Sequence, residues 1–142
     1  KGNKLEIKKI LVALAGPLTN FIIIVITTNI NLDIFKSLMI IYTNFLIMIF
    51  NLLPIYPLDG GRILKGILHI NFGLRTSEIY TNIISKIMVT IITVASSILI
   101  LYVHNIAILL IDTYLWYLVI KEDIKYKRRK DIYNKILENQ TI

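Results

Sequence analysis

The chain has 142 residues, of which 56% are hydrophobic and 18% are charged, and its mean hydropathy is +0.69. Soluble domains are about a quarter charged and less apolar, so this composition argues against an ordinary soluble fold and excludes a disordered chain. The absence of cysteine excludes disulfides, cysteine zinc sites and thiol catalysis. The net charge of +7 would suit nucleic acid or a membrane surface, and its distribution along the chain favours the membrane.

Four apolar segments follow one another along the chain. They cover residues 10–28, 37–58, 87–103 and 106–120. Each approaches the length of about 20 residues that a helix needs to cross a bilayer. We expect the third helix to begin earlier, near residue 79, with Thr76 or Ser77 as its N-cap. The fourth segment is short and contains one carboxylate, Asp112.

Lysine and arginine are distributed unevenly around these segments. Four lie in residues 1–9, one lies between the first two segments, four lie in residues 59–86, none lies at the 104–105 turn, and seven follow residue 120. The positive-inside rule predicts this alternation for four spans with both termini cytoplasmic. The sequence therefore predicts an all-α membrane protein with four transmembrane helices in one domain, residues 1–142.

The tail, residues 121–142, contains the run KYKRRK. Such a run is typical of a cytoplasmic anchor that lies on anionic lipid, and it could also serve as a docking surface for a cytosolic partner. No RNA- or DNA-binding module surrounds it, so we expect no nucleic acid as a partner.

The densest group of polar and helix-breaking residues lies at the end of the second segment. Pro54 and Pro57 remove two backbone donors, and Gly60 and Gly61 follow directly after Asp59. We expect an unwound segment here, which is tolerated at membrane depth only where it is buried in protein or lines a wet cavity. A carboxylate in such a place indicates function, and the alternative is that Asp59 pairs with Arg62.

A second group lies on the first segment. Gly16 and Asn20 are four residues apart, so they share one face of a helix and allow another backbone to approach closely. This spacing predicts a packing notch between the first and second segments, with the amide available for a hydrogen bond between helices.

The Gly-x-x-x-Asn of residues 16–20, followed on the next span by Asn-x-x-Pro and Leu-Asp-Gly-Gly in residues 51–61, resembles the site-2 protease family of intramembrane zinc metalloproteases. The resemblance is greatest to the bacterial branch that includes the stage IV sporulation intramembrane protease. It implies zinc (Zn2+) as cofactor, with Asp59 as the third metal ligand. Asn20 and Asn51 could bind the backbone of an extended substrate or join helices.

The family's other two ligands and its general base belong to a His-Glu-x-x-His helix, which this chain lacks. Its only histidines are His69 and His104, and neither is followed by glutamate. We read His69 as a surface histidine and His104 as part of an external turn. Either the chain is truncated on its N-terminal side or it is a degenerate paralogue, and by itself it is expected to be inactive. We expect Asp112 to be structural, bonded by a tyrosine or an asparagine.

The resemblance implies a protease that hydrolyses a peptide bond of a membrane-associated protein near the cytoplasmic face. A regulatory membrane partner and a role in sporulation signalling are further expectations from the branch that the motifs resemble. The alternative is a non-catalytic membrane scaffold or a fragment of a transporter, since transporters also place broken helices at polar sites.

The predicted orientation can be measured by labelling, because the chain has no natural cysteine. Asn105→Cys should react with an impermeant thiol reagent in intact cells, whereas Thr76→Cys should react only after the membrane is opened. The reverse pattern would contradict cytoplasmic termini.

Overall fold

The structure, a computed structural model, describes residues 2–141, and within this range it is built of helices without any strand. There are five helices: α1 (Gly2–Asn29), α2 (Ile34–Asn51), α3 (Asp59–Phe72), α4 (Leu74–Val103) and α5 (Ile106–Thr141). Helix α1 packs against both α2 and α3, α3 packs against α4, and α4 packs against α5. The all-helical prediction is confirmed. Helix α3 was not anticipated as a separate element.

The boundaries around α3 correct the sequence-based expectation. The second segment ends as a helix at Asn51, and residues 52–58 lie outside the helices. Asp59, Gly60 and Gly61 do not lie in an unwound stretch, because they form the first turn of α3. The two prolines stop α2, but no proline follows Leu58, so the chain is free to resume a helix there.

The expected N-cap of the third apolar segment is also wrong. Helix α4 begins at Leu74 with Gly73 as its N-cap, at a φ of +91° that L side chains rarely adopt. Ser77 instead lies in the first turn, where its hydroxyl donates to the Leu74 carbonyl at 2.6 Å. The glycine therefore places the turn between α3 and α4 three to four residues before the predicted cap.

Within residues 2–141, three helices are long and apolar enough to cross a membrane: Asn3–Asn29, Ile34–Asn51 and Leu74–Val103. None of the residues of α2 is buried within the described part of the chain, so its apolar side chains are left for lipid or for other protein. The fourth predicted span lies in α5 and stays a prediction. Helix α5 has 36 residues and includes the basic tail, so the tail continues the helix.

The buried apolar core is small and centres on the connection between α2 and α3. Ile55 is fully buried and Leu58 nearly so, and both pack against Val89 of α4 and against Leu115 and Val119 of α5. Burial of a large aliphatic side chain stabilises a fold by about 1.5–3 kcal/mol. The connection is therefore a structural part of the core.

Helices α4 and α5 are also joined by polar contacts at two levels. Near the turn between them, the Thr93 hydroxyl lies 2.9 Å from the Asp112 carboxylate, and the Trp116 indole N–H donates to the same hydroxyl at 2.7 Å. Asp112 is thus held in a structural network as expected, although its partner is a threonine of α4.

At the other end of this helix pair, Asp123 joins both helices. Its carboxylate lies 2.8 Å from the Lys86 ammonium and 3.2 Å from that of Lys127, and it accepts a hydrogen bond from the Asn82 amide at 3.1 Å. Lys86 above all, and then Asn82 and Lys127, lower the pKa of Asp123 from its ordinary 3.8 to about 2. The lowered pKa shows that the folded state favours the charged carboxylate.

This network predicts a pH-dependent contribution to stability. Because the pKa is lowered on folding, the stabilisation is complete above about pH 4 and is lost as the pH falls through about 2. At pH 7, Asp123→Ala should lower the free energy of unfolding by about 1.5–3 kcal/mol, the scale of hydrogen bonds to a charged group. Thermal unfolding in detergent at several pH values measures the effect.

Asp131→Ala is the matched control, since Asp131 lies on the same helix and pairs with Lys135 at 3.4 Å while its side chain is 66% exposed. Exposed pairs contribute about 0–1 kcal/mol, so this variant should unfold nearly as the parent does. Equal losses in both variants, or a loss from Asp123→Ala that stays constant down to pH 2, would contradict the assignment.

Candidate active site

The first turn of α3 is pressed against the connection that precedes it. A Cβ added at Gly60 would collide with the backbone of Leu52 and Leu53, and one added at Gly61 would collide with the backbone of Ile55 and Tyr56. Only glycine fits at both positions, because the neighbouring atoms are backbone and cannot rotate away. This contact fixes the start of α3, and therefore Asp59, against the buried connection.

A side chain from α4 holds the same connection from the other side. The backbone N–H of Tyr56 donates to the Ser85 hydroxyl at 3.0 Å, and Ser85 is buried. A buried N–H left without a partner costs about 1–3 kcal/mol, so this bond stabilises the path of the connection. The sequence offered no signal for Ser85, because it lies on an apolar span with nothing to relate it to Tyr56.

The carboxylate of Asp59 points at Gly16 of α1. A Cβ built on Gly16 would lie 2.6 Å from Oδ2 of Asp59. The predicted notch therefore exists at Gly16, but its closest occupant is a carboxylate from α3 where the expectation was the backbone of the second segment. The two motifs that carry the family resemblance meet at this point of the structure.

Asp59 remains available for a ligand. Among residues 2–141 its carboxylate forms neither an ion pair nor a hydrogen bond with another side chain, and its exposure is intermediate. The alternative in which Asp59 merely pairs with Arg62 has no support, since no ion pair joins them within the same range.

Asn20 and Asn51 are both partly buried, Asn20 one turn after Gly16 and Asn51 at the end of α2. Neither amide forms a side-chain hydrogen bond with the described residues, so neither bridges two helices there. Their expected role in holding a substrate backbone stays a prediction.

The histidines lie elsewhere and add nothing to the site. His69 is not a simple surface residue, because its Nδ1 lies 3.1 Å from the carboxylate of Glu6, whose side chain is only 7% exposed. His104 adopts a left-handed conformation in the turn between α4 and α5. Sequence reasoning missed Glu6 as a buried partner, since it stands among lysines before the first apolar segment.

A zinc site needs three or four protein ligands. Across residues 2–141, no group of three or more histidine, cysteine, aspartate or glutamate side chains could hold a metal ion. Asp59 has the right donor type, but the described residues do not by themselves form a complete zinc site.

A cation lies beside the connection on the side of α3. The Lys65 ammonium is 4.5 Å from the centre of the Tyr56 ring, and its burial lowers the pKa of the lysine below the ordinary 10.5. The aromatic face partly compensates for the lost water. Tyr56 is therefore held by α4 through its backbone and contacted by α3 through its ring.

Comparison with known proteins agrees with the motifs. Residues 27–95 match the sequence profile of peptidase family M50, the site-2 protease family. A stretch of 81 residues is 36% identical to a zinc metalloprotease of Methanocaldococcus jannaschii. This alignment covers 51% of this chain and 24% of the length of that protein. The chain thus matches about a quarter of the length of this relative. No solved structure matches significantly.

These matches agree with the resemblance of the motifs to the site-2 protease family. The matched region contains the connection and Asp59, and it begins after Gly16 and Asn20. Neither match singles out the sporulation branch.

The meeting of Gly16 and Asp59 predicts separate effects on stability and on metal binding. Gly16→Ala should turn the flexible carboxylate away, while alanine also favours the helix by up to about 1 kcal/mol over glycine. Where Asp59 is a zinc ligand of the full-length protein, this variant should bind less zinc, and its metal-free form should unfold at nearly the same midpoint as the metal-free parent. Zinc is measured by elemental analysis and unfolding by a thermal scan in detergent.

Gly66→Ala is the control, because Gly66 lies at the same contact between α1 and α3 but faces the Ile10 side chain. It should retain zinc. If both variants lost zinc equally, tighter packing of α1 on α3 would be the cause and the contact with Asp59 would not be.

Proposed function

We propose that this chain forms part of a site-2-type intramembrane zinc metalloprotease, which hydrolyses a peptide bond of a membrane-associated protein near the cytoplasmic face. The match to peptidase family M50, the similarity to a zinc metalloprotease and the three long apolar helices support the proposal. The observation that carries it is the Asp59 carboxylate, which has no side-chain partner among residues 2–141 and is held at the start of α3 against Gly16.

In this proposal Asp59 supplies one zinc ligand. The remaining ligands and the general base come from a His-Glu-x-x-His helix outside residues 1–142. The full-length protein is the enzyme and this chain alone is inactive. Gly16 supports the role of Asp59, because its lack of a side chain leaves the carboxylate room at the contact between α1 and α3.

The proposal extends to the substrate and its surroundings. An extended peptide has unpaired backbone groups, and the free amides of Asn20 and Asn51 suit them. Both termini are cytoplasmic, α5 crosses the membrane as a fourth span, and the basic tail rests on anionic lipid. A regulatory membrane partner and a role in sporulation belong to the proposal only through the branch that the motifs resemble.

The role of Asp59 is tested in the full-length protein by zinc content and by cleavage of a membrane-bound substrate. Asp59→Ala should lose zinc or proteolysis. Asp59→Asn should fail as well, because a neutral amide is a poorer zinc ligand than a carboxylate. Asp112→Ala is the control and should retain both, since Asp112 is bonded to Thr93 within the contact between α4 and α5.

Three results would contradict the proposal. Normal cleavage by the Asp59→Ala variant would remove Asp59 from the site, and so would tight, stoichiometric zinc binding by residues 1–142 alone. If the full-length parent neither bound zinc nor cleaved any membrane protein, the scaffold alternative would replace the protease.

A further inference from the structure

A groove of about 410 Å³ runs between the start of α1 and the body of α3. It is lined on one side by Leu5, Lys8, Lys9 and Val12, and on the other by Arg62 and Lys65, among others. The lining combines apolar side chains with cations, which suits a ligand that is itself part charged and part apolar.

The negative charge in the groove is already balanced. Glu6 is the one carboxylate in its lining, and it lies 3.1 Å from both the Lys9 ammonium and Nδ1 of His69. Within residues 2–141, Lys8, Arg62 and Lys65 form no ion pair. These three cations, of which Lys65 also lies over the Tyr56 ring, face one groove, and their charge is complementary to an anion.

The position of the groove indicates what kind of anion it takes. Lys8 and Lys9 directly precede the uncharged stretch of residues 10–28 on a helix long and apolar enough to span a membrane. Lys8 and Lys9 thus lie where hydrocarbon gives way to lipid headgroups. Basic pockets between helices at this level bind phosphate-bearing headgroups.

The basic tail differs from the groove in that several of its cations are paired with carboxylates of the protein. Arg129 lies 3.1 Å from Glu78, Lys127 is bound to Asp123, and Lys135 pairs with Asp131. These ion pairs balance part of the positive charge of the tail within the protein. The cations of the tail are distributed along helix α5, whereas those of the groove line one cavity.

We propose that the groove between α1 and α3 binds one anionic phospholipid. The phosphate contacts Lys8, Arg62 and Lys65, and an acyl chain lies along Leu5 and Val12. This site is separate from the basic tail and does not depend on proteolysis.

The test uses the full-length protein in mild detergent, with bound lipid counted by native mass spectrometry. The probes are dioleoyl phosphatidylglycerol and, as the neutral comparison, dioleoyl phosphatidylcholine. The parent should retain one phosphatidylglycerol in preference to phosphatidylcholine. Lys8→Gln combined with Arg62→Gln should weaken this binding roughly 30-fold, since each interfacial basic residue contributes about fivefold.

The matched control is Arg128→Gln combined with Lys130→Gln. This pair also removes one lysine and one arginine from exposed helical positions, and neither residue forms an ion pair within the described range. It should change the affinity by less than about threefold, the effect of general surface charge. All four positions are exposed, so folding should be retained, and a thermal scan verifies it.

Several outcomes would overturn the proposal. Equal loss in both double variants would mean diffuse attraction, and equal retention of the two lipids would mean that headgroup charge is irrelevant. Glycerol phosphate competing as well as the intact lipid would exclude the acyl contact.

Binding of a labelled polyglutamate peptide that depends on Lys8 and Arg62, without phosphatidylglycerol binding, would assign the groove to an acidic protein segment. Zinc and protease assays on the same variants report separately on the proposed function.

Discussion

The buried connection between α2 and α3 is the constraint on which the rest of the structure depends. Its residues 52–58 cannot form a regular helix because of two prolines, yet they lie in the interior and must satisfy their backbone groups. Ile55 and Leu58 anchor the connection in the core, and Ser85 accepts the N–H of Tyr56. Helix α3 can begin only where this path ends, and the two glycines of its first turn allow the close approach.

The chemistry of the candidate site follows from that packing. Asp59 begins α3, so its carboxylate is placed by the core and reaches α1 at Gly16, which has no side chain. The result is a carboxylate that is held in position but forms no ion pair with the described residues. A carboxylate of this kind has the donor type of a metal ligand, and it lies within residues 27–95, which match peptidase family M50.

Outside this core the molecule relies on contacts between pairs of helices. Helices α4 and α5 are joined by Thr93 and Asp112 at one end and by Asp123 at the other. Helix α2 has no buried residue and contributes an apolar surface, as expected where lipid replaces a protein neighbour. Part of the positive charge of the tail is paired with carboxylates of α4 and α5, whereas Lys8 and Arg62, beside the contact of α1 with α3, form no ion pair within residues 2–141.

The sequence by itself determined the helical class and three of the apolar helices, and it singled out Asp59 as a candidate ligand, because hydropathy, charge distribution and a short motif are local properties of the chain. It also indicated Gly16 as a place of close approach. Only the tertiary structure decided which group approaches it, where α3 begins, that Glu6 pairs with His69 and that Ser85 supports the connection. These contacts join residues on different helices, and their partners are set by how the helices pack around Ile55 and Leu58. Periodicity along one helix carries no information about that packing.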